Sequence, residues 1–180
     1  MCKPASLIIT KERVFWSAKT DSHEDIIREF DLKDEVAERI TLVRVEITPP
    51  GDDMRLPLDQ WQFRLDQDLL PEWYEKNPEK HQGRAMDALQ DWHNAKVFLS
   101  GRHEIHDGQA YACGSSQVTA RDSSQVTARD SSQVTAYDSN TVRACGSSNG
   151  VIYSCKLIDV QGNAALVDRR GLKIALLTAE

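Results

Sequence analysis

Apolar positions follow two different rhythms along the chain. Up to about residue 100 they form short segments of mixed period, and from Ala112 they recur at a fixed interval of eight. In SLIITKERVFW the runs Leu7 to Thr10 and Val14 to Trp16 flank a charged Lys-Glu-Arg, the pattern of a hairpin. In DSHEDIIREF, Ser22 with Asp25 three residues on resembles a capping box, and Ile26, Ile27 and Phe30 line one helical face. TLVRVEIT alternates Leu42, Val43 and Val45 with charge until Pro49-Pro50-Gly51 stops it, and QWQFRLDQD sets Trp61, Phe63 and Leu65 against Gln62 and Arg64, so both read as strands. Pro71 opens a short turn or helix at PEWYEK, GRAMDALQDWHNA carries Met86, Leu89 and Trp92 at helical spacing, and KVFLS reads as a last strand. One sheet with two or three helices on it is the economical arrangement.

The second rhythm is an octapeptide. Octads begin at Ala112, Ala120, Ala128, Ala136 and Ala144 and read ACGSSQVT, ARDSSQVT, ARDSSQVT, AYDSNTVR, ACGSSNGV. An even period sends the same letters to the same side of an extended chain. Val126 and Ala128 therefore point inward with their counterparts, Gln125, Thr127 and Arg129 point outward, and Asp-Ser-Ser or Gly-Ser-Ser turns the corners. Such a pattern predicts a β-solenoid, whose neighbouring rungs bury a core that one rung cannot bury alone. Eight extended residues span about 26 Å, too little to enclose an interior, so two octads per coil are expected. In period and in Ala, Gly, Ser and Thr content the array resembles the repeats of bacterial ice-nucleation proteins. That resemblance covers Ala112 to Val151 only, and the long arrays on which that family's activity depends are missing.

Charge and aromatic content place the boundaries. Residues 1–100 hold fourteen Lys/Arg against twenty Asp/Glu and all four tryptophans, whereas the eight remaining residues of each sign balance in the second part. The expected layout is an acidic α+β domain over 1–100, a connector over 101–111, the octapeptide solenoid over 112–151 and a β-rich cap over 152–180. In the tail, Leu157, Val160, Leu166 and Val167 mark strands, and Arg169-Arg170-Gly171 a turn before LKIALLT. A cap answers a physical need, because an open solenoid end exposes unpaired strand edges. Four unevenly spaced cysteines make no disulfide framework. Leu7-Ile8-Ile9 is cut short by Thr10 and Lys11, so neither a leader core nor a membrane span is expected, and the cytoplasm is the simplest location.

Candidate chemistry is thin. GRHEIHDG gathers His103, Glu104, His106 and Asp107, but H-x-x-H lacks helical metalloprotease spacing, and in a strand the two histidines face opposite sides. DQDLLPEWYE gathers Asp66, Asp68, Glu72 and Glu75, which reads as an acidic turn and helix start more readily than as a carboxylate pair or calcium loop. Cys113 and Cys145 share one octad letter with Arg and Tyr and have no histidine beside them in the array. Arg121, Arg129 and Arg143 with the single Tyr137 are a weak footprint for nucleic acid. No metal or other cofactor is expected. Trp73 and Tyr74 beside Glu72 and Glu75 join aromatic surface to charge, and with Asp66 and Asp68 they form the candidate partner-binding set.

The order VFWSAKTDSHEDII, LVRVEITPP, FRLDQDLLPEWY and then an A-x-D-S-S-x-V array resembles a group of uncharacterised proteins carried by phages and prophages. The resemblance implies a viral accessory protein acting inside a bacterial host. Three functions are then weighed. The first is a non-enzymatic binding protein that occupies and inhibits a host protein machine such as a defence system, in the manner of an anti-CRISPR. The second is an oligomerisation module pairing chain to chain through solenoid edges. The third is an enzyme using the N-terminal carboxylates or His103 and His106.

Overall fold

The computed structural model describes residues 4–36, 39–138, 140–170 and 175–178, and the chain divides into two compact units, Met1–Ala95 and Lys96–Glu180. No helix among the described residues is long and apolar enough to cross a membrane.

In the first unit β1 (Ser6–Thr10) pairs antiparallel with β2 (Val14–Phe15). Helix α1 (His23–Glu29) starts at Ser22, whose hydroxyl accepts from the Asp25 amide as the cap predicts. A small antiparallel pair, β3 (Glu35–Val36) and β4 (Arg39–Ile40), follows, and sequence patterning gave no sign of it. Strands β5 (Leu42–Thr48) and β6 (Gln62–Leu65) complete a four-stranded sheet in the order β2-β1-β5-β6. Leu7, Ile8 and Ile9 are all fully buried, so this central strand reads as a continuous apolar run with no alternation. Ile8 and Leu42 pack with Ile26 of α1 on one side. Helices α2 (Glu72–Glu75) and α3 (Pro78–Lys96) follow, and α3 contributes the buried Ala85, Leu89 and Trp92. Trp92 meets Trp61 edge-on at 6.1 Å and donates its indole N–H to the buried Asp21 at 2.9 Å, so the aromatic core has its polar atom satisfied.

The second unit is a β-solenoid of about four turns over residues 97–168. Its strands are β7 (Val97–Phe98), β8 (Arg102–Ile105), β9 (Gln109–Ala112), β10 (Gln117–Ala120), β11 (Gln125–Ala128), β12 (Gln133–Ala136), β13 (Thr141–Ala144), β14 (Asn149–Ile152), β15 (Leu157–Val160), β16 (Ala165–Asp168) and β17 (Ala175–Thr178). Two sheets result, β8-β10-β12-β14-β16-β17 and β7-β9-β11-β13-β15. Pairing is parallel, Gln117 lying beside Gln133 and Gln125 beside Thr141, an offset of sixteen residues that continues through Asn149 beside Ala165. Among the described strands of this unit only β17 reverses, pairing antiparallel with β16.

The solenoid is longer than the octad wording suggests. Residues 101–111, expected as a connector, form β8 and β9, and KVFLS gives the first solenoid strand instead of the last strand of the α+β sheet. Likewise β15 and β16, expected in the cap, continue the parallel ladders. The physical reason is that a rung needs only alternation and corners: Ala110 and Ala112 are buried between half-buried Gln109 and Tyr111, and Leu166 fills the interior in the place of Val. The expected turn at 169–171 lies partly outside the described residues.

Corners explain the remaining letters. Gly114, Asp122, Asp130, Asp138, Gly146 and Gly162 all adopt positive φ, between 52° and 67°, which glycine tolerates freely and aspartate better than most residues. Asp130 uses its carboxylate to accept from the Gly114 amide of the preceding coil at 3.0 Å, and Asp138 does the same for Asp122 at 3.4 Å. The next residue but one turns inward: Ser116, Ser124, Ser132, Asn140 and Ser148 are buried beneath the corners. Ser124 donates to the Asn140 side-chain oxygen at 2.7 Å, and Asn140 in turn donates to the Ala120 carbonyl at 2.8 Å. The core is thus Val and Ala, joined by Ile152 and Leu166, and flanked by a file of buried Ser and Asn.

Candidate functional site

The acidic-aromatic set does not converge. Asp66 lies beside β6 with its carboxylate 3.2 Å from Nδ1 of the buried His23, whose Nε2 lies 3.0 Å from the Val45 carbonyl, so this carboxylate secures α1 to the sheet. Asp68 is exposed in the following loop. Glu72 is exposed and paired with Lys76 at 2.6 Å, which holds its carboxyl below the usual range. Glu75 is exposed, Trp73 half-buried and Tyr74 only 4% exposed. Trp73 sits edge-on to His81 at 4.8 Å, and Tyr74 stacks on the same imidazole at 5.7 Å, its phenol held above the ordinary value by burial. Burial foremost, then the charges of Arg84 and Lys80, hold His81 below its ordinary value, in keeping with Nδ1 lying 3.0 Å from the Arg84 guanidinium. Arg84 also donates to the Lys11 carbonyl at 3.0 Å, fastening α3 to the β1–β2 turn. Tyr74 is therefore a packing residue, which leaves Asp68, Glu72, Trp73 and Glu75 as accessible members of the set.

His103 and His106 are separated by their strand. His103 stacks on Phe98 with centroids 4.1 Å apart and lies 2.7 Å from the Ser100 carbonyl. His106 stands at the next corner, 3.1 Å from the Asp122 carboxylate. No group of three or more potential metal ligands occurs among the described residues. Cys113, Cys145 and Cys155 are free thiols, and burial raises Cys145 and Cys155 above the ordinary value, the opposite of an activated nucleophile.

What the fold does assemble is a stripe along one solenoid corner. His106, Arg121, Tyr137, Tyr153 and Arg169 each follow the last residue of a strand in the β8-to-β16 series. The amides of the last four donate to the carbonyls of Ile105, Ala120, Ala136 and Ile152, at 2.7 to 2.9 Å, so successive side chains stand directly above one another. Tyr137 and Tyr153 stack with centroids 4.9 Å apart and planes 1° from parallel. The Arg121 guanidinium covers the far face of Tyr137 at 4.9 Å, and Arg169 that of Tyr153 at 5.8 Å. Glu104 pairs with Arg121 and fixes its plane. Ring faces are thereby filled, and what the stripe offers outward is edges: two phenols between two guanidinium groups, with Tyr153 40% exposed. Each ring pair contributes about 0.5–1.5 kcal/mol and each exposed cation–π contact about 0.5–1 kcal/mol, so the four side chains hold one another in place.

Sequence reasoning noted Arg121 and Tyr137 but not their alignment. The signal is present once positions are read at an interval of sixteen, where 121, 137, 153 and 169 give Arg, Tyr, Tyr, Arg. Comparison of the chain with family models, curated proteins and solved structures finds no match.

Proposed function

We propose that the protein is a non-enzymatic binding protein that docks on a protein partner through its solenoid. The observation that carries this reading is the Arg121–Tyr137–Tyr153–Arg169 stack. Tyrosine and arginine are the residues from which interface anchors are most often built, and holding them rigid lowers the side-chain entropy lost on binding. In this reading two octads make one coil, each coil adds one member to the stripe, and β17 closes the last rung as a cap. The resemblance of the chain's layout to phage and prophage proteins points to the kind of partner: a bacterial host protein machine such as a defence system, occupied in the cytoplasm and inhibited as by an anti-CRISPR. Trp73 with Glu72 and Glu75 forms a second, separate contact surface on the first unit.

Affinity capture from a bacterial lysate, quantified by mass spectrometry, tests the reading. The full chain is expected to retain one stoichiometric partner, the double variant Tyr137→Ser with Tyr153→Ser to lose it, and Trp73→Ala to keep most of it. Retention by the double variant with loss by Trp73→Ala transfers recognition to the first unit, and the absence of any partner in all three removes the proposal.

A further inference from the structure

On the reading that the stripe is the docking surface, we propose that its last coils are the anchoring end. They take a partner protein segment that brings a carboxylate to Arg169 and, next to it, an apolar side chain to Val151, Val167 and Leu176. A second column of side chains runs beside the stripe. Register sets Glu104, Thr119, Thr135, Val151, Val167 and Leu176 opposite one another in successive strands. The first five stand two residues before His106, Arg121, Tyr137, Tyr153 and Arg169, and residues two apart on an extended chain share a face. Along the solenoid this column changes character, charged or hydroxylated as far as Thr135 and wholly apolar after it. Val151 and Val167 are half-buried and Leu176 is 66% exposed, while Ile152, Leu166 and Leu177 take the inward side. With Tyr153 they make a continuous apolar patch at one end of the stripe, the kind of surface that marks an interaction site.

Charge divides the stripe in the same direction. In the first coils the cations already have acids: Arg121 pairs with Glu104, and His106 lies 3.1 Å from the Asp122 carboxylate. In the last coil the Arg169 guanidinium touches the Tyr153 ring and, at 3.4 Å, its phenol oxygen. Among the described residues no carboxylate pairs with it, since Asp168 beside it is held by Arg170 at 2.8 Å. A guanidinium at the rim of an apolar patch is complemented by a carboxylate, which accepts two parallel charge-assisted hydrogen bonds from it. A partner that covers the patch also removes water from that pair and strengthens it. Both faces of Tyr137 and Tyr153 are occupied, so no nucleobase can stack on them, and three aliphatic side chains offer a phosphate backbone nothing. The complementary surface is therefore an acidic and apolar segment of protein.

Selection of short random peptides from a display library on the immobilised full chain is the test, with the affinity of the selected peptides measured by fluorescence polarisation. Peptides with Asp or Glu beside Leu, Ile or Phe are expected. Arg169→Gln should weaken them at least about tenfold, and Arg169→Glu should turn a fresh selection toward Lys and Arg beside the same apolar residues. Val167→Thr places in the last coil the letter that Thr119 and Thr135 carry in earlier ones, so it should keep the fold by circular dichroism and still weaken the peptides. Arg121→Gln is expected to leave the preference unchanged. Selection of no peptide or of peptides without acid, peptides indifferent to Arg169→Gln and Val167→Thr, loss through Arg121→Gln instead, or Arg169-dependent binding of a labelled oligothymidylate each overturns the proposal. If the tyrosine double variant still loses the captured partner in those cases, the stripe remains the docking surface and only the chemistry assigned to its last coils falls.

Discussion

Tyr137 and Tyr153 lie sixteen residues apart and stack within 1° of parallel, 4.9 Å between centroids, which is the spacing of adjacent strands. Their geometry is that of the ladder beneath them: each amide donates to the strand end of the coil before, and the rings inherit the rise. The contact is therefore a direct readout of coil register. Tyr153→Ala is expected to cost about 1–2 kcal/mol, and the double-mutant cycle with Tyr137→Ala to show coupling of about 1 kcal/mol. Urea unfolding followed by circular dichroism measures both, and a coupling near zero would mean that the rings do not stack in solution.

Two glycines should respond to alanine with opposite signs. A Cβ on Gly150 would meet the Val134 side chain at 2.7 Å and press still closer on the Val134 carbonyl, backbone that cannot move without opening the ladder. Gly150→Ala is expected to destabilise by about 2 kcal/mol or more. Gly83 lies exposed within α3 with nothing inside 4 Å of the new atom, so Gly83→Ala should stabilise by about 0.5–1 kcal/mol. Thermal unfolding of the two variants decides the pair.

Coil length can be tested by deletion. Removing Ser115 to Asp130 takes out sixteen residues, the offset between paired strands, and returns every later residue to its own sheet. Removing Ser115 to Asp122 takes out eight and sends each later strand to the opposite sheet, moving Gly150 and Leu166 out of their columns. The longer deletion should fold with a melting temperature near that of the parent, and the shorter should melt well below it. Equal melting temperatures would contradict the two-octad coil.

The thiols supply a test at high pH. Burial raises Cys145, against the opposing charges of Arg129 and Arg143, and burial likewise raises Cys155. The folded chain thus keeps these protons longer than the unfolded chain does. Their contribution to stability is full below the unfolded value, about 8.5, and is lost as pH rises through the folded values. Alkylation by iodoacetamide at neutral pH should be slow at both positions in the native protein and fast in urea. Fast native labelling at Cys145 would show that the thiol is not sheltered.

His81 gives the opposite limb. Its folded value lies below the unfolded one because burial and the neighbouring Arg84 and Lys80 disfavour the imidazolium. Stability from this group is present above about pH 6.5 and lost as pH falls through the folded value. All four tryptophans lie in the first 100 residues, so their fluorescence reports on this unit. Between about pH 7 and pH 5 the unfolding midpoint should fall, and His81→Gln should flatten that slope. An unchanged slope would assign acid sensitivity to other groups.

The sequence by itself determined the ladder. An even period with Val and Ala in step sends the apolar letters of an extended chain to one side, and Asp or Gly before Ser supplies corners at a positive φ that glycine adopts freely and aspartate better than most residues. The strands and helices of the first unit were legible for the same local reason, since alternation, capping at Ser22 and the stop at Pro49-Pro50 act within a few residues. Only the tertiary structure decided where the ladder begins and ends, because Arg102–Ile105 and Leu157–Val160 keep the alternation without the wording, and pairing depends on a neighbour one coil away. It also decided that Asp66 serves His23, forty-three positions distant, that Tyr74 is buried against His81, and that four residues from four coils form one stripe. Those relationships are long-range contacts fixed by packing and hydrogen-bond register, and no local pattern carries them.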